Sequence, residues 1–216
     1  MSQSSIQPIA VLCDFDGTIT QCEVIGEIYK KFASGNCEQL VRLWTRGEIS
    51  TLEEIRGCFA TIRATQHEME KELVSITIDP DFPALLDFCR RHGYQFAILS
   101  DGLQWYIEFI LNRFGISSVT IFANQIQFNP DGFEISFPWY DPKTPKRGTS
   151  KPMIIQRYHD MGYQVYFIGD GLSDLEAVHV ADKVYAKGRL LDICVDNNLP
   201  VIGFSSFADL LNKISV

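Results

Sequence analysis

The 216-residue chain is short of positive charge: 19 Lys and Arg stand against 27 Asp and Glu, a formal net charge of −8 at pH 7. Such a chain gains neither counterion release on nucleic-acid phosphates nor attraction to anionic lipid, so no nucleic-acid or membrane partner is expected. Apolar runs of membrane-spanning length are absent. The early run Ile9–Cys13 is too short for a span or a signal core, and "MSQSSIQP" carries no basic residues ahead of it. A soluble, cytoplasmic protein is expected. The cysteines, at 13, 22, 37, 58, 89 and 194, include no C-x-x-C pair and no short-spaced framework, which predicts reduced, mostly buried thiols. No G-x-x-x-x-G-K-[ST] phosphate loop occurs. "GDGLSD" (169–174) has Asp174 where a dinucleotide fingerprint needs Gly. His67, His92, His159 and His179 are isolated, as surface or packing residues are. Repeats and low-complexity tracts are missing as well.

What is present is a core's worth of apolar residues, 46% of the chain, arranged in two patterns. Ile9–Cys13 reads as a buried strand ended by Asp, Gly and Thr. Residues 21–79 then repeat at helical spacing (Val24, Ile28, Phe32; Leu40, Trp44; Leu52, Ile55, Phe59; Met69, Leu73), with Ser50 or Thr51 as a cap and Asp79-Pro80 closing the run. From Phe82 onward helices alternate with strands at 94–100, 118–123, 164–169 and 183–186. A hairpin is expected around Pro130-Asp131-Gly132, and a capping box at Ser173 and Glu176. The expected fold is α/β: a Rossmann-like parallel sheet formed by 1–20 and 80–216, with a helical cap, 21–79, inserted after the first strand.

Three strand ends carry polar clusters: Asp14 to Thr18, Ser100-Asp101-Gly102, and Gly169 to Asp174. Ligands of open α/β sheets sit outside the carboxyl ends of the strands, so these clusters can share one crevice. Four carboxylates there (14, 16, 170, 174) would repel one another without a cation. An oxygen-rich set lacking His and Cys suits Mg²⁺. Each piece has a plainer reading: D-x-D as a turn, Asp101 as a helix cap, and Lys143, Lys146, Arg147 and Lys151 as surface cations. Ser150-Lys151-Pro152 at a helix start favours Lys151 as the crevice lysine.

Taken together, D-x-D-G-T at 14–18, Ser100, Lys151 and G-D-G-x-S-D resemble the haloacid dehalogenase superfamily of phosphohydrolases in order, spacing and strand context. The resemblance implies Asp14 as nucleophile and Asp16 as general acid and base. Mg²⁺ would be held by Asp14, the Asp16 carbonyl and Asp170, with Asp174 holding its waters or orienting Lys151. Ser100 and the N–H groups of Gly17 and Gly102 would bind phosphate oxygens beside Thr18, and Lys151 would balance charge. The helical insert looks like the cap of the phosphoserine-phosphatase-like branch. There Glu23 and Arg56 match residues that hold substrate amine and carboxylate, although each also suits an ordinary helix face. Residues 124–150 look more like the methionine-salvage phosphatases acting on a methylthio-pentenyl 1-phosphate. A small phosphorylated metabolite is the expected partner, with a homodimer as an option. A dehalogenase, a phosphotransferase and a non-turning-over phosphate-binding module are the rivals.

Overall fold

The computed structural model describes residues 7–130 and 132–214. Residues 1–6, on which the reading of the N-terminus rests, and Asp131 of the expected hairpin turn lie outside the described residues. The centre of the fold is β1 (Ile9–Cys13), buried on both faces. Val11 and Cys13 pack into one core cluster and Ala10 and Leu12 into another, as expected of a strand covered by helices on both sides.

Between β1 and the next strand of the sheet run α1 (Val24–Phe32), α2 (Cys37–Thr45), α3 (Thr51–Phe59), α4 (Gln66–Leu73) and α5 (Phe82–His92). The first four form the insert. Capping boxes start α3 (Ser50 with Glu53) and α4 (Thr65 with Glu68), which satisfies donors that the helix leaves unpaired. The insert's two ends are adjacent: Thr20 bridges Ile78, and the Asp79 N–H donates to the Ile19 carbonyl at 2.8 Å. Gly93, at φ 70°, closes α5 in the left-handed region that glycine enters without strain.

The remaining elements are β2 (Gln95–Leu103), α6 (Gln104–Arg113), β3 (Thr120–Asn129), β4 (Gly132–Ser136), α7 (Lys151–Asp160) and β5 (Gln164–Gly169). A single 3₁₀ turn (Leu172–Asp174) leads to α8 (Leu175–Val178), β6 (Lys183–Ala186), α9 (Gly188–Asp196), β7 (Ile202–Gly203) and α10 (Phe207–Ile214). Among the described residues the strands form one sheet in the order β4-β3-β2-β1-β5-β6-β7, with all neighbours parallel except β3 and β4. The chain leaves β1 toward β2 on one side and returns to β5 on the other, so a crevice opens at the carboxyl end of β1.

The structure differs from the sequence expectations in four places. The strand expected at 118–123 and the first arm of the hairpin are one continuous strand, β3, whose inner half pairs with β2 and outer half with β4. The two-residue β7 was too short to show a pattern. Ser173 does not cap a helix: Leu172–Asp174 is a 3₁₀ turn, and the Glu176 carboxylate is taken by Arg147 at 3.0 and 3.2 Å. Cys37 and Cys58 are joined as a disulfide across α2 and α3, contrary to the reduced thiols expected; Cys13, Cys22, Cys89 and Cys194 are free. Their separation of 21 residues resembles no framework, and only the packing of the two helices brings them together.

Candidate active site

The site begins with a defect in a strand. β2 pairs with β3 at Leu99 opposite Phe122 and again at Leu103 opposite Asn124, so Ser100-Asp101-Gly102 bulge out of the ladder. That bulge turns the three residues toward the end of β1, where the chain leaves the sheet as Asp14-Phe15-Asp16. The third contribution, Asp170 to Asp174, follows β5 on the other side of β1.

Asp14 is 4% exposed, and one carboxylate oxygen accepts from the Lys151 ammonium at 2.7 Å. Lys151, 1% exposed at the first position of α7, also donates to Asp174. The other Asp174 oxygen accepts from the N–H groups of Asp170 and Gly171 at 2.9 and 3.0 Å. Burial alone would lower the Lys151 pKa, but Asp14 and Asp174 outweigh it and hold the ammonium firmly charged. Burial and the nearby Asp174 raise the Asp14 carboxyl well above the usual range, against the pull of Lys151. The alternative cations are engaged elsewhere or exposed: Lys146 donates to the Gly47 carbonyl, Arg147 binds Glu176 and the Leu172 carbonyl, and Lys143 faces solvent.

Asp14, Asp170 and Asp174 each bring a carboxylate oxygen within 4.8 Å of the others. Three buried or half-buried carboxylates around one ammonium leave negative charge uncompensated. Hard oxygen donors with no sulfur or imidazole fit Mg²⁺. The Asp16 side chain is turned away from this group. Its Oδ1 accepts from the N–H of Val24 at 2.9 Å, and its Oδ2 accepts from the Tyr106 hydroxyl at 2.6 Å and the Ser100 hydroxyl at 3.4 Å. Burial raises its pKa to about 6, while the bonds from Tyr106 and Val24 hold it down.

The other expected residues divide. Gly102 sits where a Cβ would overlap the Tyr106 hydroxyl, and its N–H donates to Ser100 Oγ at 3.0 Å. Gly17 is required twice over: its φ is 73°, and a Cβ would come 2.5 Å from Asp170. Its N–H, expected to meet a phosphate oxygen, donates to the Cys22 carbonyl at 3.1 Å. Thr18 does not line the crevice; its hydroxyl holds Asp170 at 2.6 Å. Glu23 lines the mouth. Arg56 does not join the others, because its guanidinium lies over the Phe137 ring, 4.9 Å from the centroid, and faces a different cavity.

Two contributors, Tyr106 and Lys187, were not foreseen, and Asp101 plays a part other than the helix cap considered for it. Tyr106 looked like one more apolar position of α6, and nothing in its spacing announces a hydroxyl aimed at Asp16. Lys187, 3.1 Å from the Thr18 carbonyl, adds a second cation near the carboxylates. Asp101 does not cap α6. Its Oδ1 accepts from the N–H groups of Gly148 and Thr149 at 2.8 Å each, and its Oδ2 accepts from Thr51 of α3 at 2.6 Å. It thereby ties the insert and the loop before Lys151 to the Ser100 bulge.

Replacing Tyr106 tests the Asp16 environment. Tyr106→Phe removes a hydrogen bond to the ionised form, so the Asp16 pKa rises. Followed by carboxyl-carbon NMR titration, the Asp16 pKa is expected to move upward by about one unit or more, one such bond to a charged group being worth roughly 1.5–3 kcal/mol. An unmoved titration would mean that the Tyr106 hydroxyl does not hold Asp16 in its ionised form.

The haloacid dehalogenase-like hydrolase family pattern matches residues 11–179 of the chain. A 2-hydroxy-3-keto-5-methylthiopentenyl-1-phosphate phosphatase of Brevibacillus brevis is 30% identical over 207 residues, 94% of this chain and 93% of that one. A phosphatase of the same name from Bacillus cereus is 27% identical over 213 residues, 95% of each. Among solved structures, a phospho-aspartyl intermediate analogue of phosphoserine phosphatase superposes with a TM-score of 0.71 at 17% identity, covering 97% of this chain and 99% of that one. A phosphoserine phosphohydrolase-like protein from Francisella tularensis gives 0.70 at 21% identity, covering 95% and 99%.

Proposed function

The chain belongs to the haloacid dehalogenase-like hydrolases, and from that premise we propose that it is a Mg²⁺-dependent phosphomonoesterase acting on a small phosphorylated metabolite. The observation that carries this reading is the Asp14 carboxylate at the carboxyl end of β1, with Lys151 on one oxygen and Asp16 two residues on with its own separate set of partners. Two carboxylates in different electrostatic settings can divide nucleophile from acid–base work.

Asp14 attacks phosphorus; the Asp14 O–P bond forms as the ester P–O bond breaks, and protonated Asp16 delivers its proton to the departing alkoxide. Asp16, now ionised, takes a proton from water as that water attacks the aspartyl-phosphate, which frees Asp14 and inorganic phosphate. Ser100, whose Oγ accepts from the Gly102 N–H, supplies a donor to a phosphate oxygen, and Lys151 offsets the charge that collects on the phosphate. Asp14, the Asp16 carbonyl and Asp170 would hold Mg²⁺, with Asp174 orienting Lys151 or reaching the ion's waters. When bound, the ion neutralises phosphate charge. Residues 21–79 act as the cap over this floor. The full-length similarity to methylthiopentenyl-1-phosphate phosphatases supports a phosphorylated ketose-like substrate. Arg56, outside the crevice, gives no support to a phosphoserine carboxylate.

Phosphate release from a panel of phosphorylated metabolites, including phosphoserine and a methylthio-ketose 1-phosphate, tests this reading. Hydrolysis is expected to vanish on chelation and return with Mg²⁺, with free phosphate as product even when an alcohol acceptor is supplied. Chelation without effect would overturn the metal dependence. Transfer to the acceptor would make the enzyme a phosphotransferase.

A further inference from the structure

The crevice is a cavity of about 390 Å³ with two chemically different halves. Its floor is the carboxylate cluster with Ser100 and Gly102. Its roof belongs to the insert, where Ile25 and Tyr29 of α1, Val41 and Trp44 of α2, and Glu54 and Ile55 of α3 face inward. None of the roof groups is used in the phosphoryl chemistry above.

Two carboxyls of the insert line the cavity: Glu23 lies toward the floor, close enough to Asp16 and Asp170 to feel their charge, and Glu54 lies among the apolar roof groups. Glu54 is 5% exposed, and the Tyr29 hydroxyl donates to its Oε2 across 3.4 Å. Among the described residues no lysine or arginine pairs with it, and no second donor reaches it. Its neighbour Glu53 already serves the capping box of α3, so Glu54 is not needed to start the helix. A buried carboxyl with one long hydrogen bond is costly to keep, and a ligand that completes its bonding removes that cost. Burial, opposed by Tyr29 and reinforced by Asp101, lifts its pKa to about 8. Near neutral pH the group is therefore mostly protonated and can both donate and accept.

The cations near the cavity do not serve the roof. Arg56, two residues further along α3, lies over Phe137 instead. Arg189 joins the lining from the start of α9, beside the Asp170 loop and so at the phosphate end. An anionic tail would find no partner under the insert.

We propose that Glu54, with the Tyr29 hydroxyl, binds an uncharged oxygen function on the substrate's carbon chain, a hydroxyl or a carbonyl, and that Ile25, Val41, Trp44 and Ile55 receive an apolar chain end beyond it. This rests on the phosphomonoesterase reading and adds to it the residues of the insert that select among its substrates. Glu54 is then a specificity residue that sits apart from the reacting atoms.

The test is steady-state kinetics of wild type, Glu54→Leu and Glu54→Gln on four esters: a ketose 1-phosphate with an alkylthio end, phosphoserine, phosphoethanolamine and p-nitrophenyl phosphate. Wild type is expected to favour the ketose ester over phosphoserine by roughly 100-fold in kcat/KM. Glu54→Leu should lose roughly 10- to 100-fold more kcat/KM on the ketose ester than on p-nitrophenyl phosphate, chiefly through KM, as expected when a polar group matched to a substrate oxygen is removed. Glu54→Gln, which keeps a donor and an acceptor, should recover most of that loss. Equal losses on all four esters would make Glu54 structural and overturn the proposal. A wild-type preference for phosphoethanolamine that Glu54→Gln abolishes would overturn it in favour of a cationic tail. If wild type with Mg²⁺ hydrolyses none of the esters, the phosphomonoesterase reading falls and this inference with it. Hydrolysis that is indifferent to Glu54 sinks the inference alone.

Discussion

Asp14→Asn is expected to reduce phosphomonoester hydrolysis by about 10⁴-fold or more, because an amide cannot form the aspartyl-phosphate. The loss should come without unfolding. Asn nearly matches Asp in shape, and the wild-type carboxyl has its pKa raised by burial and by the nearby Asp174. The sign follows from linkage. A carboxyl whose folded pKa is raised contributes stability below its unfolded pKa and loses it as pH rises through the folded value. In metal-free buffer near neutrality the variant should therefore melt at or above the wild-type temperature. Mg²⁺ should stabilise it less than wild type, since a neutral amide oxygen replaces a carboxylate in the proposed set. Phosphate release and circular-dichroism melts with and without chelator check both halves. Hydrolysis retained at a tenth of the wild-type rate in a folded Asp14→Asn protein would exclude Asp14 as nucleophile.

Lys151→Met carries the second large effect, and it acts on stability as well as rate. The ammonium is buried between Asp14 and Asp174, 4% and 0% exposed. Removing it leaves two buried carboxyls facing each other with no cation between them, a change that costs about 3–5 kcal/mol where a buried pair loses one partner. The rate should fall by about 10²- to 10³-fold, the scale seen when one preorganised charge or donor at a reacting oxygen is lost. Stability and rate separate in the double variant. Asp14→Asn added to Lys151→Met removes one of the opposed carboxyls, so part of the lost stability should return, with a coupling of about 1–3 kcal/mol between the sites. Activity should not return. Additive destabilisation would mean that Lys151 holds the fold through its contact with Asp174 alone.

Much of this architecture is legible in local pattern. Ile9–Cys13 is a continuous apolar run, so a central parallel strand could be read from five residues, and the polar ends of β1, β2 and β5 are visible because each interrupts such a run. Lys151 could be singled out from three competing cations because Ser150 and Pro152 mark a helix start. What local pattern does not carry is the direction a side chain takes after distant segments pack. Tyr106 and Asp16 are 90 residues apart, and α6 shows the same spacing whether or not its tyrosine reaches a carboxylate. Arg56 occupies a plausible helix position, yet its guanidinium lies over the Phe137 ring and outside the crevice. Thr18 is engaged by Asp170, 152 positions later. Cys37 and Cys58 meet only because α2 and α3 pack together. The break expected at Asn124 failed for a related reason: β3 changes partners from β2 to β4 without leaving its strand.

The bridge between Thr20 and Ile78 has an evolutionary corollary. Where an insertion begins and ends at neighbouring residues, the host sheet need not notice its length, so the roof over the crevice can be exchanged while the floor stays intact. One atom limits that freedom. The N–H of Val24, at the first turn of α1, holds Asp16, so any replacement roof must open with a backbone donor in the same place. Grafting another roof between positions 20 and 78 would thus change the upper half of the crevice, but would keep the Asp16 carboxylate in register only if the new segment starts as this one does.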